Sequence, residues 1–194
     1  MSILSKVKDL NNFSDEKNFI NLVCKGIKVG FVHKKIASII LSSKLSYLRK
    51  NNMLILKDER KSKLNNTLKN TCNLLFEKKI INEPAGENFP CTTTLGKKEY
   101  FVLDRSLVEY LGIRGYGVHL IAYLTGKNKS IRVWVPKRSK KKKIDPNKLD
   151  NTVAGGVSAG ETIFQALLRE SYEEAALKKN VLINAKQFGT INYL

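Results

Sequence analysis

The sequence predicts an α+β protein, on three observations. Over residues 1–112, short helical and strand-like patterns alternate. From Tyr116, two apolar runs, YGVHLIAYL and IRVWVP, flank the turn-forming TGKNKS as the arms of a hairpin would. Beyond them, a glycine loop leads into an amphipathic acidic helix, GGVSAGETIFQALLRESYEEAAL, beginning at Gly155.

Taken in order, Ser14 and Asp15 are placed to start a helix through Phe19, Ile20, Leu22 and Val23, ended by Gly26. IKVGFV, from Ile27 to Val32, reads as a short strand. Lys34 to Leu48 is amphipathic, with Ile36, Ile39, Ile40 and Leu45 near one face, and is expected to be helical. MLIL, residues 53–56, reads as a strand and is followed by a helix from about Lys63 to Phe76. EPAGENFPC reads as a loop, broken by Pro84, Gly86 and Pro90. EYFVL reads as a strand, and Asp104 is placed to cap a short helix, DRSLVEYLGI. This half holds no catalytic constellation. His33 stands alone among lysines and reads as an exposed residue beside a strand. In the hairpin, His119 reads as a core or cleft-wall residue, and Trp134, alternating with Arg132, is expected to pack on one sheet face.

Composition sets the class. The 194 residues, 42% hydrophobic and 27% charged, suffice for one large or two small domains with a real core. No apolar run approaches the ~18 residues of a membrane helix. The N-terminal MSILSKVKDLNNFSDEK lacks the apolar block of a signal peptide, and its acidic residues argue against a transit peptide, so a cytoplasmic location is expected. Cys24, Cys72 and Cys91 are odd in number, show no CxxC spacing and read as free thiols of a reducing compartment. The net charge of +18 attracts anions in general: nucleic acid, anionic lipid or phosphorylated small molecules. Richness in Lys, Asn and Ile can also follow from coding composition, which weakens that inference.

The acidic helix carries the chemistry. Thr162 and Gln165 have the capping-box spacing, so the helix should begin at Thr162. Ile163, Phe164, Leu167, Leu168 and Ala175 are its expected buried stripe. Glu170, Glu173 and Glu174 stand at i, i+3 and i+4 on one face, where each like-charge pair costs about 0.2–0.5 kcal/mol. A hard divalent cation is the natural counter-charge, because Mg²⁺ takes carboxylate oxygens and leaves positions for water and phosphate. Arg169 can reach Glu173, and also Glu161 if the loop folds back. Gly155, Gly156 and Gly160 let that loop bend tightly against a ligand. Gly155, Gly160 and Thr162 also fit the P-loop pattern G-x-x-x-x-G-K-[ST], but Glu161 in the lysine position would repel phosphate, so that reading fails.

These residues resemble the Nudix hydrolase box, G-x₅-E-x₇-R-E-U-x-E-E-x-G-U with U aliphatic. Gly155, Glu161, Arg169, Glu170, Glu173, Glu174 and Leu177 all fall in place. Ser171 replaces an aliphatic residue and Ala176 the last glycine, and the latter is expected to change how the helix ends. GIRGYGVHLIAYL, VWVPKRSKKK and LDNTVAGGVSAGE further resemble a subfamily related to the Nudix region of thiamine pyrophosphokinase fusion proteins, with its N-terminal domain of uncharacterised function. The resemblance implies an α/β/α sandwich with a mixed sheet between helices over residues 114–194, preceded by a small α+β domain over 1–113. Kinase activity is not implied. A Nudix fold needs further strands and a helix after the box helix, whereas only VLINAKQFGTINYL, enough for one strand, follows. The expectation is a domain incomplete at its C-terminus, lacking the later acidic residue that often serves as base.

The resemblance further implies Mg²⁺-dependent hydrolysis of a diphosphate linkage, with Mn²⁺ able to substitute and a monophosphate released. Glu170, Glu173 and Glu174 would hold metal, with the backbone carbonyl of Ala154 or Gly155 as an extra ligand. Arg169 would support the site, together with Gly155, Gly160 and Glu161, and either Glu170 or Glu173 would act as base. Thiamine diphosphate derivatives and oxidised nucleoside diphosphates are the implied substrates. The basic run, six cations among the seven residues from Lys137 to Lys143, has three readings. It is a solvated loop, a phosphate grip through Lys137 and Arg138, or a nucleic-acid or nuclear-localisation patch without the aromatic interleaving that single strands favour. The rival to an enzyme is a catalytically inactive Nudix-like module binding nucleic acid or a phosphorylated ligand through that run. Oligomeric state is left open.

Overall fold

Phe19–Cys24, FINLVC, is a strand (β1) at the middle of a four-stranded sheet, not the expected helix. The computed structural model describes residues 15–141 and 145–192. Asp15 precedes one 3₁₀ turn, Glu16–Asn18, and Ser14 lies outside the described residues. The strand wins because Lys25 and Gly26, at φ 51° and 76°, close a two-residue hairpin onto Ile27–His33 (β2). An apolar run this short satisfies either period, and a pairing partner decides it.

Lys34–Leu41 (α1) is helical, but the expected helix stops there. Tyr47–Lys50 (β3) instead forms a hairpin with Met53–Leu56 (β4), turned by Asn51 at φ 51°. The order is β2-β1-β4-β3, mixed because β1 and β4 run parallel. His33 is half-buried rather than exposed. Its Nδ1 caps α1 by accepting from Lys35 N at 3.2 Å, and its ring meets Phe19 edge-on.

Lys61–Glu77 (α2) matches expectation. The segment read as a loop contains a strand, Asn88–Cys91 (β5), paired with Phe101–Asp104 (β6). Pro90 is tolerated because this sheet has only two strands, so each is an edge. Asp104 caps a single 3₁₀ turn, Arg105–Leu107, by accepting from Ser106 N at 2.9 Å. One apolar core joins all of this, from Ile20 and Leu22 through Leu54, Leu68, Phe101 and Leu111 to Ile113. Cys24, Cys72 and Cys91 are buried and unpaired, and burial pushes the Cys24 thiol up to about 11 and Cys91 to about 12.

Beyond residue 115, the run read as one strand is two. Gly117–Leu120 (β7) pairs antiparallel with Val153–Gly156 (β10), and Tyr123–Thr125 (β8) pairs with Ile131–Val133 (β9). The break falls at Ala122, whose N–H donates to Thr152 Oγ1 at 2.9 Å while its carbonyl accepts from Trp134 N. Trp134 does not pack on the sheet, being 62% exposed, and His119 is exposed with Nδ1 2.9 Å from Asn151 Nδ2. Ile163–Ala175 (α3) packs on β7 and β10 around Val118, Val157 and Ala166. The expected terminal strand is absent from the described residues. Lys179–Leu182 (α4) is helical, 183–192 form no regular element, and Leu194 lies outside the described residues. No sheet edge among the described residues pairs with that segment, and a strand without a partner leaves its backbone groups unsatisfied. The chain is α+β, with a mixed sheet in its N-terminal unit.

Candidate active site

The loop before α3 is folded by its own polar groups. Glu161 N donates to Ser158 O at 3.1 Å, and Ser158 N donates to Glu161 Oε2 at 3.0 Å. Gly160, at φ 85°, supplies the left-handed residue this reversal requires. The capping box then forms as its spacing predicts: Gln165 N donates to Thr162 Oγ1 at 3.2 Å and Thr162 N to Gln165 Oε1 at 2.8 Å. The buried stripe differs from expectation. Ala166 and Ser171 are buried, whereas Ile163 and Phe164 are 49% and 42% exposed. The capping box and the Arg169 pairings fix the rotation of the helix, which turns Ala166 and Ser171 inward and leaves Ile163 and Phe164 outward.

Arg169 is the hub. Its guanidinium grips Glu161 in a fork, Nε to Oε1 at 2.7 Å and Nη2 to Oε2 at 2.9 Å. Nη1 donates to Glu170 Oε1 at 2.7 Å, and Nη2 donates to the Gly156 carbonyl at 3.0 Å. Glu173 Oε2 stands 3.6 Å from Nη1, too far for a hydrogen bond. The Arg169 contact holds the Glu161 carboxyl below its ordinary range, and Glu161 in turn raises Arg169 further above its own.

The Glu170 carboxylate lies against Gly155. A Cβ there would sit 1.8 Å from Glu170 Cδ, so any larger residue would push that carboxylate off the strand. Glu174 Oε2 accepts from Ala154 N at 3.1 Å. The helix therefore lays its carboxylates along β10, Glu170 12% and Glu173 55% exposed. Among the described residues, no three His, Cys, Asp or Glu side chains converge as they stand into a metal-holding group. Glu170 faces Arg169, and Glu174 faces the backbone. The donor types still fit a hard cation: three carboxylates on one helix face, with Gly155 of the neighbouring strand leaving room for Glu170.

Lys137 and Arg138 belong to a separate structure. Lys137 bridges to Leu149, and Arg138 forms an ion pair with Asp150 through Nη1 while Nε donates to Asp145 O at 3.1 Å. Burial opposes ionisation of Asp150, but the Arg138 contact and the Asn151 N–H more than offset it and hold its carboxyl below the usual range. Lys142 and Lys143 of the basic run lie outside the described residues.

Sequence reasoning missed Glu87, Phe89 and Ser158. Ser158 Oγ donates to Glu87 Oε1 at 2.7 Å across 71 residues of chain, and the Phe89 ring fills the space that a Cβ on Gly156 would need. Neither separation nor residue type signals such contacts in advance.

Comparison with known proteins matches the description "Domain of unknown function (DUF4743)" to residues 2–115 and "NUDIX domain" to residues 115–192. The chain is similar to "Uncharacterized protein YJR142W" of Saccharomyces cerevisiae, 32% identical over 96% of this chain and 58% of that one. It is similar to "Nudix hydrolase 24, chloroplastic" of Arabidopsis thaliana, 28% identical over 91% of this chain and 49% of that one. It also resembles "Nudix hydrolase 20, chloroplastic" of the same plant, 33% identical over 62% and 32%. The chain thus spans about half the length of the first two. No helix among the described residues is long and apolar enough to cross a membrane. With the box folded around Arg169 and these matches in hand, the chain belongs to the DUF4743 family and carries a NUDIX domain, residues 115–192, after that domain.

Proposed function

We propose that the chain is a Nudix hydrolase that cleaves a phosphoanhydride bond with the help of Mg²⁺, Mn²⁺ being able to substitute. What supports this reading above all is the Arg169 hub, which joins Glu161, Glu170 and the Gly156 carbonyl at one point of the carboxylate face. In this reading Glu170, Glu173 and Glu174 hold the cation, with the Ala154 carbonyl as a further ligand. Bound there, the cation neutralises the diphosphate and lowers the pKa of a water molecule. Arg169 and Glu161 keep the loop folded, and Gly155 and Gly160 shape it. Glu173 is the proposed base rather than Glu170, because Glu170 is committed to Arg169 whereas Glu173 is exposed and loosely held.

The substrates to assay first are thiamine diphosphate derivatives and oxidised nucleoside diphosphates, on the strength of the subfamily resemblance. Lys137 and Arg138 are proposed to meet a distal phosphate, with Arg138 exchanging Asp150 for it. We read the chain as two units, 1–113 and 114–194, and place it in the cytoplasm, where three buried free thiols stay reduced. The second reading, an inactive module holding a phosphorylated ligand or nucleic acid through the basic run, draws support from Glu170 and Glu174 being engaged by Arg169 and the Ala154 N–H. The test is release of monophosphate from that panel with and without Mg²⁺. Mg²⁺-dependent turnover, lost in Glu173→Gln with folding retained, supports the hydrolase. Absence of turnover together with salt-sensitive nucleic-acid binding supports the module instead.

A further inference from the structure

The loop that presents Arg169's partners is held from outside the Nudix domain. Ala159 N donates to Asn88 O at 2.8 Å, and Ser158 Oγ donates to Glu87 Oε1 at 2.7 Å. Ser158 Oγ also lies 3.4 Å from Arg169 Nη2, which donates to it. A hydroxyl has one proton, so committing it to Glu87 turns a lone pair toward the guanidinium.

Glu87 is itself held rigidly. Arg105 N donates to its carbonyl at 2.8 Å, and Arg105 Nη1 pairs with its Oε2 at 3.1 Å. Just before it, Ala85 N and Gly86 N both donate to the Asp104 carboxylate at 2.9 Å. Just after it, Phe89 is buried and lies against Gly156, whose carbonyl is another Arg169 acceptor. A chain of contacts therefore runs from Asp104 and Arg105 through Glu87 and Ser158 to Arg169. The box motif by itself supplies none of the first three.

We propose that Glu87, in the DUF4743 domain, is a positioning residue for the carboxylate site: it orients the Ser158 hydroxyl and so holds Arg169 against Glu161 and Glu170. This assigns the N-terminal domain a direct part in building the site and rests on the reading of that site as metal-binding. Outer partners of metal-site residues typically change affinity by about 10–100-fold when removed.

The test uses the full chain with Glu87→Ala, Ser158→Ala, the double variant and Glu87→Gln, which keeps an acceptor for the hydroxyl. Amide hydrogen exchange at residues 158–161 reads the clamp without any metal. Exchange is expected to rise by roughly fivefold or more in Glu87→Ala, and Glu87→Gln should restore most of the protection. Mn²⁺ affinity, followed by electron paramagnetic resonance, should fall about tenfold in Glu87→Ala and in Ser158→Ala, with no further loss in the double variant. Unchanged exchange in Glu87→Ala overturns the proposal, as does faster exchange with Mn²⁺ affinity untouched. Additive losses in the double variant also overturn it, because the two residues would then act separately. If the wild-type chain takes up no Mn²⁺, the metal-site reading fails on its own, and exchange alone decides whether Glu87 holds the loop.

Discussion

The two halves of this molecule are held together in different ways. Residues 19–113 share one large apolar core, in which Leu22, Leu54, Leu64, Leu68 and Leu75 are fully buried. The Nudix half has Val118, Val157 and Ala166 as its buried cluster, and its order comes largely from polar contacts converging on Arg169. One half supplies stability by area removed from water. The other places charges, where a single misplaced atom costs function more than stability.

The largest expected contrast comes from truncating each core. Leu68→Ala should cost about 2–5 kcal/mol in denaturant unfolding. Val157→Ala should cost only about 1.5 kcal/mol, the worth of its lost methyl groups. Equal losses would mean that the small cluster is packed as tightly as the large one. Gly155→Ala comes next: a Cβ there would strike the Glu170 carboxylate, which as the end of a flexible side chain can swing aside at a cost of about 1 kcal/mol, the low end for overpacking. Near-normal unfolding with impaired cation uptake is expected, because the damage falls on the charge-placing half. Normal uptake would show that Glu170 need not lie over Gly155.

The Glu161–Arg169 contact predicts a pH dependence. Glu161 has a folded pKa below its ordinary value of 4.5, so its contribution is complete above that value and disappears as pH falls toward the depressed one. Thermal scans of wild type and Glu161→Gln should differ at neutral pH and converge in acid. A gap that persists at the lowest pH would assign the effect to something other than ionisation.

The smallest effect concerns the end of α3. Ala176 occupies the left-handed region at φ 52°, where its N–H donates to Tyr172 O at 3.0 Å in the manner of a glycine cap. Ala176→Gly should stabilise the chain by about 1 kcal/mol or less, read as a slightly raised melting temperature.

Local rules were legible where their partners lie a few residues away. The Thr162–Gln165 capping box follows from spacing alone, as do MLIL and the α2 helix, whereas the Arg169–Glu161 pair needed the loop to fold back and the i,i+4 reach to Glu173 stops at 3.6 Å. FINLVC was misread because its strand pairing depends on a turn and on β4, some thirty residues on. Pro90 was misread because its tolerance depends on its sheet having only two strands. Exposure of Ile163 and Phe164 depends on the rotation that the capping box and Arg169 give the helix, which apolar periodicity does not encode. Glu87 was invisible because its contact with Ser158 joins residues 71 positions apart.

The most direct test of the central claim is calorimetric titration of Mn²⁺ and Mg²⁺ into the wild-type chain and into Glu173→Gln. Uptake by the wild type that is lost or strongly weakened in the variant is the predicted result. No uptake by the wild type, or uptake unaltered by the substitution, would contradict the assignment of this helix face as a cation site.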